Sequence, residues 1–286
     1  MKFLVFGESG QVARELQRLG GEAVTVLSRA DADLSNPEAC AAAISATDAH
    51  AVINAAAYTA VDRAEGEEAL ALRINGEAPG VMARAAAARG LPLVHISTDY
   101  VFDGSGNQPF EVNDATAPLG AYGRTKLAGE EVVRAADGIY AIFRTSWVVS
   151  SHGSNFVKTM LRLGAERDTL NIVADQIGGP TPAADIARTC FAAARQLRDE
   201  PGKTGTYHLS GGPDVSWADF ARAIFGCSVI DCTVNDIPSS AYPAPAKRPL
   251  NSRLDNSRTH GVFGLARPDW RESLDDILKD LGALAS

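Results

Sequence analysis

Residues 1–16 read MKFLVFGESGQVAREL, and the fold turns on how they are parsed. Phe3–Phe6 is an apolar run short enough for a buried strand, Gly7 and Gly10 frame a turn, and a helical pattern runs from Val12 to Leu19. Glycines let a backbone turn tightly and approach a pyrophosphate, which then rests on the free N–H groups of the helix. The spacing is GxxGxxA rather than GxGxxG, and Ala13 is small enough for the helix to pack on the strand. A plain strand–turn–helix is the bland alternative. The place of the turn, directly after the first strand of a βαβ series, favours a dinucleotide.

Outward from this turn, strands are expected at Ala23–Leu27, Ala51–Asn54, Leu93–Ser97 and Ile139–Phe143. Helices are expected at Pro37–Ala46, Pro79–Arg89 and Tyr122–Ala135. That alternation predicts an α/β fold, a Rossmann-like doubly wound parallel sheet with right-handed crossovers. After Arg144 the rhythm changes. A loop at Ser150–Ser154 precedes a helix at Phe156–Leu163, a strand at Leu170–Val173 and the QIGGPTP turn. Thr181 is read as the cap of a helix Pro182–Arg198. A strand Thr206–Leu209 leads to Ser216-x-x-Asp219, a capping-box-like helix start, and Ile237–Leu254 reads as irregular. The expected organisation is a dinucleotide-binding domain over residues 1–145, with a return of the chain at about 174–210. A smaller α/β substrate-binding lobe takes most of residues 146–286.

The end of the second strand selects the dinucleotide. A carboxylate there binds the ribose 2′-hydroxyl of NADH, and a basic residue accommodates the 2′-phosphate of NADPH. The chain offers Ser28 and Arg29, then Asp31 and Asp33. Arg29 points to NADPH, a solvated arginine is the alternative, and use of either cofactor stays open.

Ser97, Thr98 and Asp99 end the fourth strand, at the carboxyl edge where open α/β sheets bind ligands. Tyr122 and Lys126 stand four apart, on one face of a helix. A phenol with an ordinary pKa of about 10 is a poor proton donor or acceptor near neutrality unless a cation stabilises its phenolate. Lys126 is the expected cation, and Thr98 the hydroxyl that bonds the same carbonyl oxygen. Strand alternation puts either Thr98 or Ser97 into the cleft; Thr98 is preferred. Tyr-x-x-x-Lys alone is common on amphipathic helices. Its force comes from the glycine turn and the strand-end hydroxyl together.

The balance of 27 basic against 35 acidic residues, a net charge of -8, argues against a nucleic-acid coat or a membrane-surface protein. An anionic small molecule would need Arg and Lys gathered at one site. No apolar run approaches the roughly 18 residues of a membrane span. The start is unlike a secretory signal, and Cys40, Cys190, Cys227 and Cys232 form no CxxC pair. A soluble cytoplasmic protein is expected.

The stretches GESGQVARELQ, INAAAYTAVDRAE, HISTDYVFDG, YGRTKLAGE, FRTSWV, NFVKTMLRL, DQIGGPT and RPLNSRL resemble the extended short-chain dehydrogenase/reductase superfamily. Within it the chain is most similar to the dTDP-4-dehydrorhamnose reductase branch, over residues 7 to about 254. The resemblance implies hydride transfer from NADPH or NADH to C4 of a dTDP-linked 4-keto-6-deoxy sugar. Tyr122 would supply the proton, Lys126 would hold the nicotinamide ribose, and Thr98 would polarise the ketone. It places Gly10, Gln11 and Val12 at the pyrophosphate, and Ser28, Asp33 and Leu34 around the adenosine; the glycine turn and the strand end add Gly7 and Arg29 to the cofactor side. Ala55, Ala56 and Ala57 would lie along the cofactor. Thr98, Asp99, Trp147, Asn155, Arg248, Asn251 and Ser252 would meet the substrate. Here the bland alternatives are a buried core tryptophan at Trp147 and a solvated loop charge at Arg248.

Two departures stand out: Ser28 where the family often has a carboxylate, and Ala13 for its usual glycine. Some relatives use Mg²⁺ at a subunit interface, and Glu15 and Asp185 stand in the matching regions. Two distant carboxylates are more often surface charges, so no metal is expected, and none of the five histidines shows ligand spacing. The expected partner is a dTDP-sugar, with neither nucleic acid nor membrane, and a homodimer is compatible with the resemblance. The rival readings are a nucleotide-sugar epimerase or dehydratase of the same superfamily, and a non-catalytic NADP-binding regulatory subunit resembling that of methionine adenosyltransferase.

Overall fold

The computed structural model describes residues 1–285. Its elements run β1 (Phe3–Phe6), α1 (Gln11–Gly20), β2 (Val24–Leu27), α2 (Pro37–Ala46), β3 (Ala51–Asn54), α3 (Val61–Ala64) and α4 (Glu68–Leu72). A π-helical turn, Arg73–Glu77, leads into α5 (Ala78–Ala88), β4 (Leu93–Thr98), α6 (Ala121–Ala135) and β5 (Tyr140–Thr145). Then come β6 (Val148–Val149), α7 (Phe156–Glu166), β7 (Thr169–Val173), β8 (Ile177–Gly178), β9 (Thr181–Pro182) and α8 (Ala183–Asp199). The chain ends with β10 (Gly205–His208), β11 (Val215–Ser216), α9 (Trp217–Gly226), β12 (Thr233–Ile237), β13 (Asn251–Ser252), α10 (Ser257–Phe263) and α11 (Trp270–Asp280).

The main sheet has six strands in the order β10-β5-β4-β3-β1-β2, every pair parallel. Strand alternation sorts its side chains into two cores. Phe3 and Val5 face α1 and α8, packing with Leu16, Ile186 and Phe191. Leu4 and Phe6 face α2, α5 and α6, packing with Ile44, Met82 and Val133. Because both faces are covered, these strands read as continuous apolar runs. The sequence reversal lies beside β1, with β2 on one side and β3 on the other. Open α/β sheets bind ligands at such a switch, outside the carboxyl ends of the strands.

A third core lies beyond the sheet, where α7, α9 and α11 bury Met160, Phe220, Ile224, Leu274 and Leu278 against β7 and β12. Two further small sheets, β11-β8-β13 and β6-β9, join this region to the end of β5. The chain re-enters the first layer through α8 and β10, which pairs with β5.

Most expected boundaries lie within two residues of the observed ones. Thr181 is a correction. It sits in β9, donating to the Gly179 carbonyl at 3.0 Å and accepting the Gly211 N–H at 3.1 Å, while Pro182 occupies the cap position with no side-chain cap. A hydroxyl already committed to a loop carbonyl and a loop amide does not reach the helix. Ser216 does cap α9, accepting the Asp219 N–H at 2.9 Å. Among the described residues no helix is long and apolar enough to cross a membrane.

Candidate active site

The carboxyl ends of β1, β3, β4 and β5 open into a cleft of about 510 Å³. Its lining includes Gly10, Gln11 and Val12, Ala55–Ala57, and Thr98, Asp99, Tyr122, Lys126 and Trp147. A wider hollow of about 670 Å³, between Gln108–Glu111 and Leu254–Ser257, holds none of these groups.

The β1–α1 turn fits a dinucleotide. Gly7 has φ of +102°, and a Cβ there would meet the Ala56 Cβ at 3.2 Å, so the turn closes only because the residue is glycine. Gly10 sits at the N-cap with no side-chain bond, and the first turn of α1 carries no acidic residue. Gly10, Gln11 and Val12 line the cleft, so the free amides of this first turn offer an anion site beside it. Gln11 reaches across, donating to the Val148 carbonyl at 3.2 Å and accepting from Ser150 Oγ and Asn155 Nδ2 at 2.8 and 2.9 Å.

The first turn of α6 lies against the strand-end segment because Gly123 lacks a side chain; a Cβ there would fall 2.2 Å from the Tyr100 carbonyl oxygen. This contact brings Tyr122 and Lys126 to the cleft. Tyr100 meets the Tyr122 ring edge-on, centroids 5.4 Å apart. Lys126 is buried and donates from Nζ to the Ile96 carbonyl at 2.7 Å. One turn further, Glu130 receives Arg144 through Nε and Nη2 at 3.0 and 2.8 Å, and Ser97 Oγ at 2.6 Å. Ser97 Oγ is thereby committed to Glu130, while Thr98 Oγ1 donates to Asp99 Oδ1 at 3.0 Å and accepts the Tyr100 N–H at 3.2 Å; both residues line the cleft. Burial raises the Glu130 carboxyl, but Arg144, Ser97 and Arg134 outweigh it and hold the group below its ordinary range.

Burial dominates the electrostatics. It pushes the Tyr122 phenol up to about 12, against the lowering effect of Thr98, with Asp99 adding to the rise. Lys126 is brought down to about 8, with Glu130 opposing. Asp99 rises to about 6 although Ser252 and Thr98 hydrogen-bond it. The phenol thus stands above its ordinary value, and the groups that shift it are Thr98 and Asp99 rather than Lys126. Burial disfavours the charged phenolate, and the Lys126 ammonium is engaged by the Ile96 carbonyl. Asp99 Oδ2 and Thr145 Oγ1 are buried beside the cleft with no partner, the kind of polar atoms a bound ligand satisfies.

The other sequence candidates stand apart from the cleft wall. Ser28 Oγ and N–H both bond Asp31 Oδ2, at 2.6 and 2.9 Å. Arg29 pairs with Asp33 at 2.9 Å on an exposed surface, and Leu34 is buried in the second core. Asn155 caps α7 and is linked to the cleft through Gln11. Arg248 forms a two-pronged pair with Asp62, at 3.2 and 2.9 Å, instead of pointing a free guanidinium at solvent. Asn251 is buried, donating to the Ser105 and Gln108 carbonyls at 3.2 and 2.8 Å, and Ser252 meets Asp99. Sequence reasoning missed Ser9, Thr59, Ile96, Thr145, Ser146 and Ser154, all of which line the cleft. Thr145 and Ser146 follow from one signal, since β5 ends on the same edge as β4. Glu15, expected to be a surface charge, is buried and meets Arg18 and His152, at 2.7 and 3.1 Å.

Against known proteins, the RmlD substrate binding domain matches residues 1–283. A dTDP-4-dehydrorhamnose reductase of Burkholderia thailandensis is 44% identical over 98% of this chain and 99% of its own, and one of Escherichia coli K12 is 41% identical over 98% of each. Among solved structures, a dTDP-4-dehydrorhamnose reductase of Clostridium acetobutylicum superposes with a TM-score of 0.91 at 40% identity, covering 99% of this chain and 100% of that one. A dTDP-4-dehydrorhamnose reductase of Bacillus anthracis in complex with NADP gives 0.90 at 34% identity, covering 98% and 100%. A UDP-glucose 4-epimerase of Brucella ovis, 17% identical over 99% and 98% with a TM-score of 0.81, shares the fold alone. With its sheet, its glycine turn and its near-complete match over 283 residues, the chain belongs to the RmlD substrate-binding family.

Proposed function

We propose that the chain reduces the C4 ketone of dTDP-4-dehydro-6-deoxy-L-mannose to dTDP-L-rhamnose, using NADPH or NADH. One observation carries the reading: Thr98, Tyr122 and Lys126 share a cleft with the uncapped N-terminus of α1, in a chain 41–44% identical end to end with relatives bearing that reductase name. Gly10, Gln11 and Val12 would hold the pyrophosphate, Ser28, Arg29, Asp33 and Leu34 the adenosine, and Ala55–Ala57 the middle of the cofactor. When bound, the nicotinamide supplies a hydride to the ketone carbon.

The chain's own groups handle the oxygen. Tyr122, with a phenol pKa of about 12, is protonated throughout the neutral range and donates its Oη proton to the developing alkoxide. The phenolate left behind is costly in a buried site, and the Lys126 ammonium, charged below about pH 8, offsets it. Thr98 Oγ1, which donates to Asp99 Oδ1 at 3.0 Å, would turn that donor toward the ketone oxygen. Asp99, Asn155, Arg248, Asn251, Ser252 and Trp147 complete the substrate side of the proposal.

The division into a cofactor domain, residues 1–145 with a return at about 174–210, and a substrate lobe over most of 146–286 belongs to the same reading. So do a cytoplasmic setting, which the four free cysteines suit, and a homodimer. The test is stoichiometric oxidation of NADPH or NADH with dTDP-4-dehydrorhamnose, product stereochemistry being read by NMR. Turnover without net cofactor consumption would indicate an epimerase or dehydratase instead. Tight cofactor binding with no turnover, in a stable hetero-complex, would indicate a regulatory subunit.

A further inference from the structure

Trp147 follows β5 with φ of +49°, a left-handed backbone that a residue bearing a side chain rarely keeps without support. Its carbonyl accepts the Thr181 N–H at 3.0 Å. Its indole lies flat on Trp217, ring centroids 3.5 Å and planes 11° apart. Gly178 leaves the room: a Cβ there would fall 2.9 Å from Trp147 Cε2. Trp217, the first residue of α9, is itself held on two sides. Phe156 packs on its ring at 4.5 Å, and its indole N–H donates to Gln176 Oε1 at 3.2 Å. The Gln176 amide in turn donates to Ser239 Oγ at 2.9 Å. Trp147 lines the cleft, whereas Trp217 stands behind it.

The geometry points to Trp217 as a positioning residue that fixes the Trp147 indole as a pre-set aromatic wall for the dTDP-sugar. The inference rests on the reductase reading for the identity of that ligand. Without the Trp217 face, the Trp147 side chain regains rotamers that ligand binding must then freeze out, and that ordering weakens affinity. The effect falls on substrate binding, because among the described residues neither indole hydrogen-bonds or ring-stacks with Lys126, Tyr122 or the α1 turn.

The chain has three tryptophans, and Trp270 packs edge-on against Phe220 instead, so the stacked pair has its own signature. Two parallel indoles in contact couple their transitions into a two-signed circular-dichroism couplet. Wild type and Trp270→Phe should show it; Trp217→Leu and Trp147→Phe should lose it. Calorimetry with dTDP, together with KM for dTDP-4-dehydrorhamnose, should show Trp217→Leu weakened about two- to tenfold, the range of a lost aromatic pair. Trp217→Phe should recover most of that loss, and the NADPH affinity should hold. Unaltered dTDP affinity in Trp217→Leu, or an equal loss of NADPH affinity, overturns the inference. Should Trp217→Leu not fold, Gln176→Leu decides: a diminished couplet with weaker dTDP binding supports the role, and no change in either overturns it. Calorimetry with dTDP needs no turnover, so failure of the reductase reading shows separately, as a wild-type protein that does not oxidise NADPH.

Discussion

Tyr122 and Lys126 lie one helical turn apart, yet burial moves them in opposite directions, the phenol up to about 12 and the ammonium down to about 8. For a reductase this arrangement keeps the acid loaded and makes the cation the titrating member. Tyr122→Phe should therefore lose about 100-fold or more in kcat, the lower range of a positioned general acid, while binding NADPH almost normally. Single-turnover kinetics beside a cofactor titration checks it, and an unchanged kcat removes the assignment. For Lys126, charge is present below about pH 8 and lost above it, so kcat/KM should fall as pH rises through that value. Stability should move the other way. Between about pH 8 and the ordinary lysine range the unfolded chain binds the proton that the native state has released, so raising pH favours folding. Taken as the difference between wild type and Lys126→Met in denaturant titrations, stability should rise over that window. A flat difference would mean that the buried ammonium is not titrating there.

At the scale of elements, the central strands were readable because a strand covered on both faces is written as an unbroken apolar run, as in Phe3–Phe6 and Ala51–Asn54. The elements that escaped reading include β12, α10 and α11, of five, seven and eleven residues, and several with weak local signals. α3 and α4 are four and five residues long, and β6, β8, β9, β11 and β13 have two residues each, too few for a period to show. Glu130 is another case. It sits in a helix whose spacing marks only Tyr122 and Lys126, yet it ties α6 to β5 through Arg144 and to β4 through Ser97, with both charged side chains almost wholly buried. Such a pair is costly to break from one side, since the remaining charge stays in the interior. Glu130→Leu should destabilise the fold by about 3–5 kcal/mol, and the Glu130→Leu/Arg144→Met double variant by less than the two single losses added. Chemical denaturation of all four proteins tests this, and strict additivity would show that the ion pair does not couple the two elements.

For the whole molecule, the proposed cofactor side of the site follows from local sequence, because one turn and one helix face would build it. The substrate side does not. As proposed, it draws on residues as distant as Asp99 and Arg248, and no local pattern announces that the Arg248 loop returns to Asp62 in α3. Arg248 was legible as a cation beside Asn251 and Ser252; its pairing with Asp62, which also accepts the Ala246 N–H at 3.2 Å, was not. Side-chain exposures of 26% and 41% leave this pair within reach of water, where such bridges contribute about 0–1 kcal/mol. A guanidinium held so lightly can exchange a carboxylate for a diphosphate, and its fork suits either. Arg248→Met should then weaken dTDP binding about tenfold or more, as expected for a lost charge-assisted bond of 1.5–3 kcal/mol. The NADPH affinity should stay level, because the proposed cofactor site is the α1 end of the cleft. Asp62→Asn should shift dTDP binding by less than tenfold, in the tightening direction, as the competing carboxylate loses its charge. Calorimetry at low and high salt separates the cases: the wild-type dTDP affinity should fall with salt more steeply than that of Arg248→Met. Equal salt slopes would show that Arg248 stays with Asp62 when the nucleotide binds.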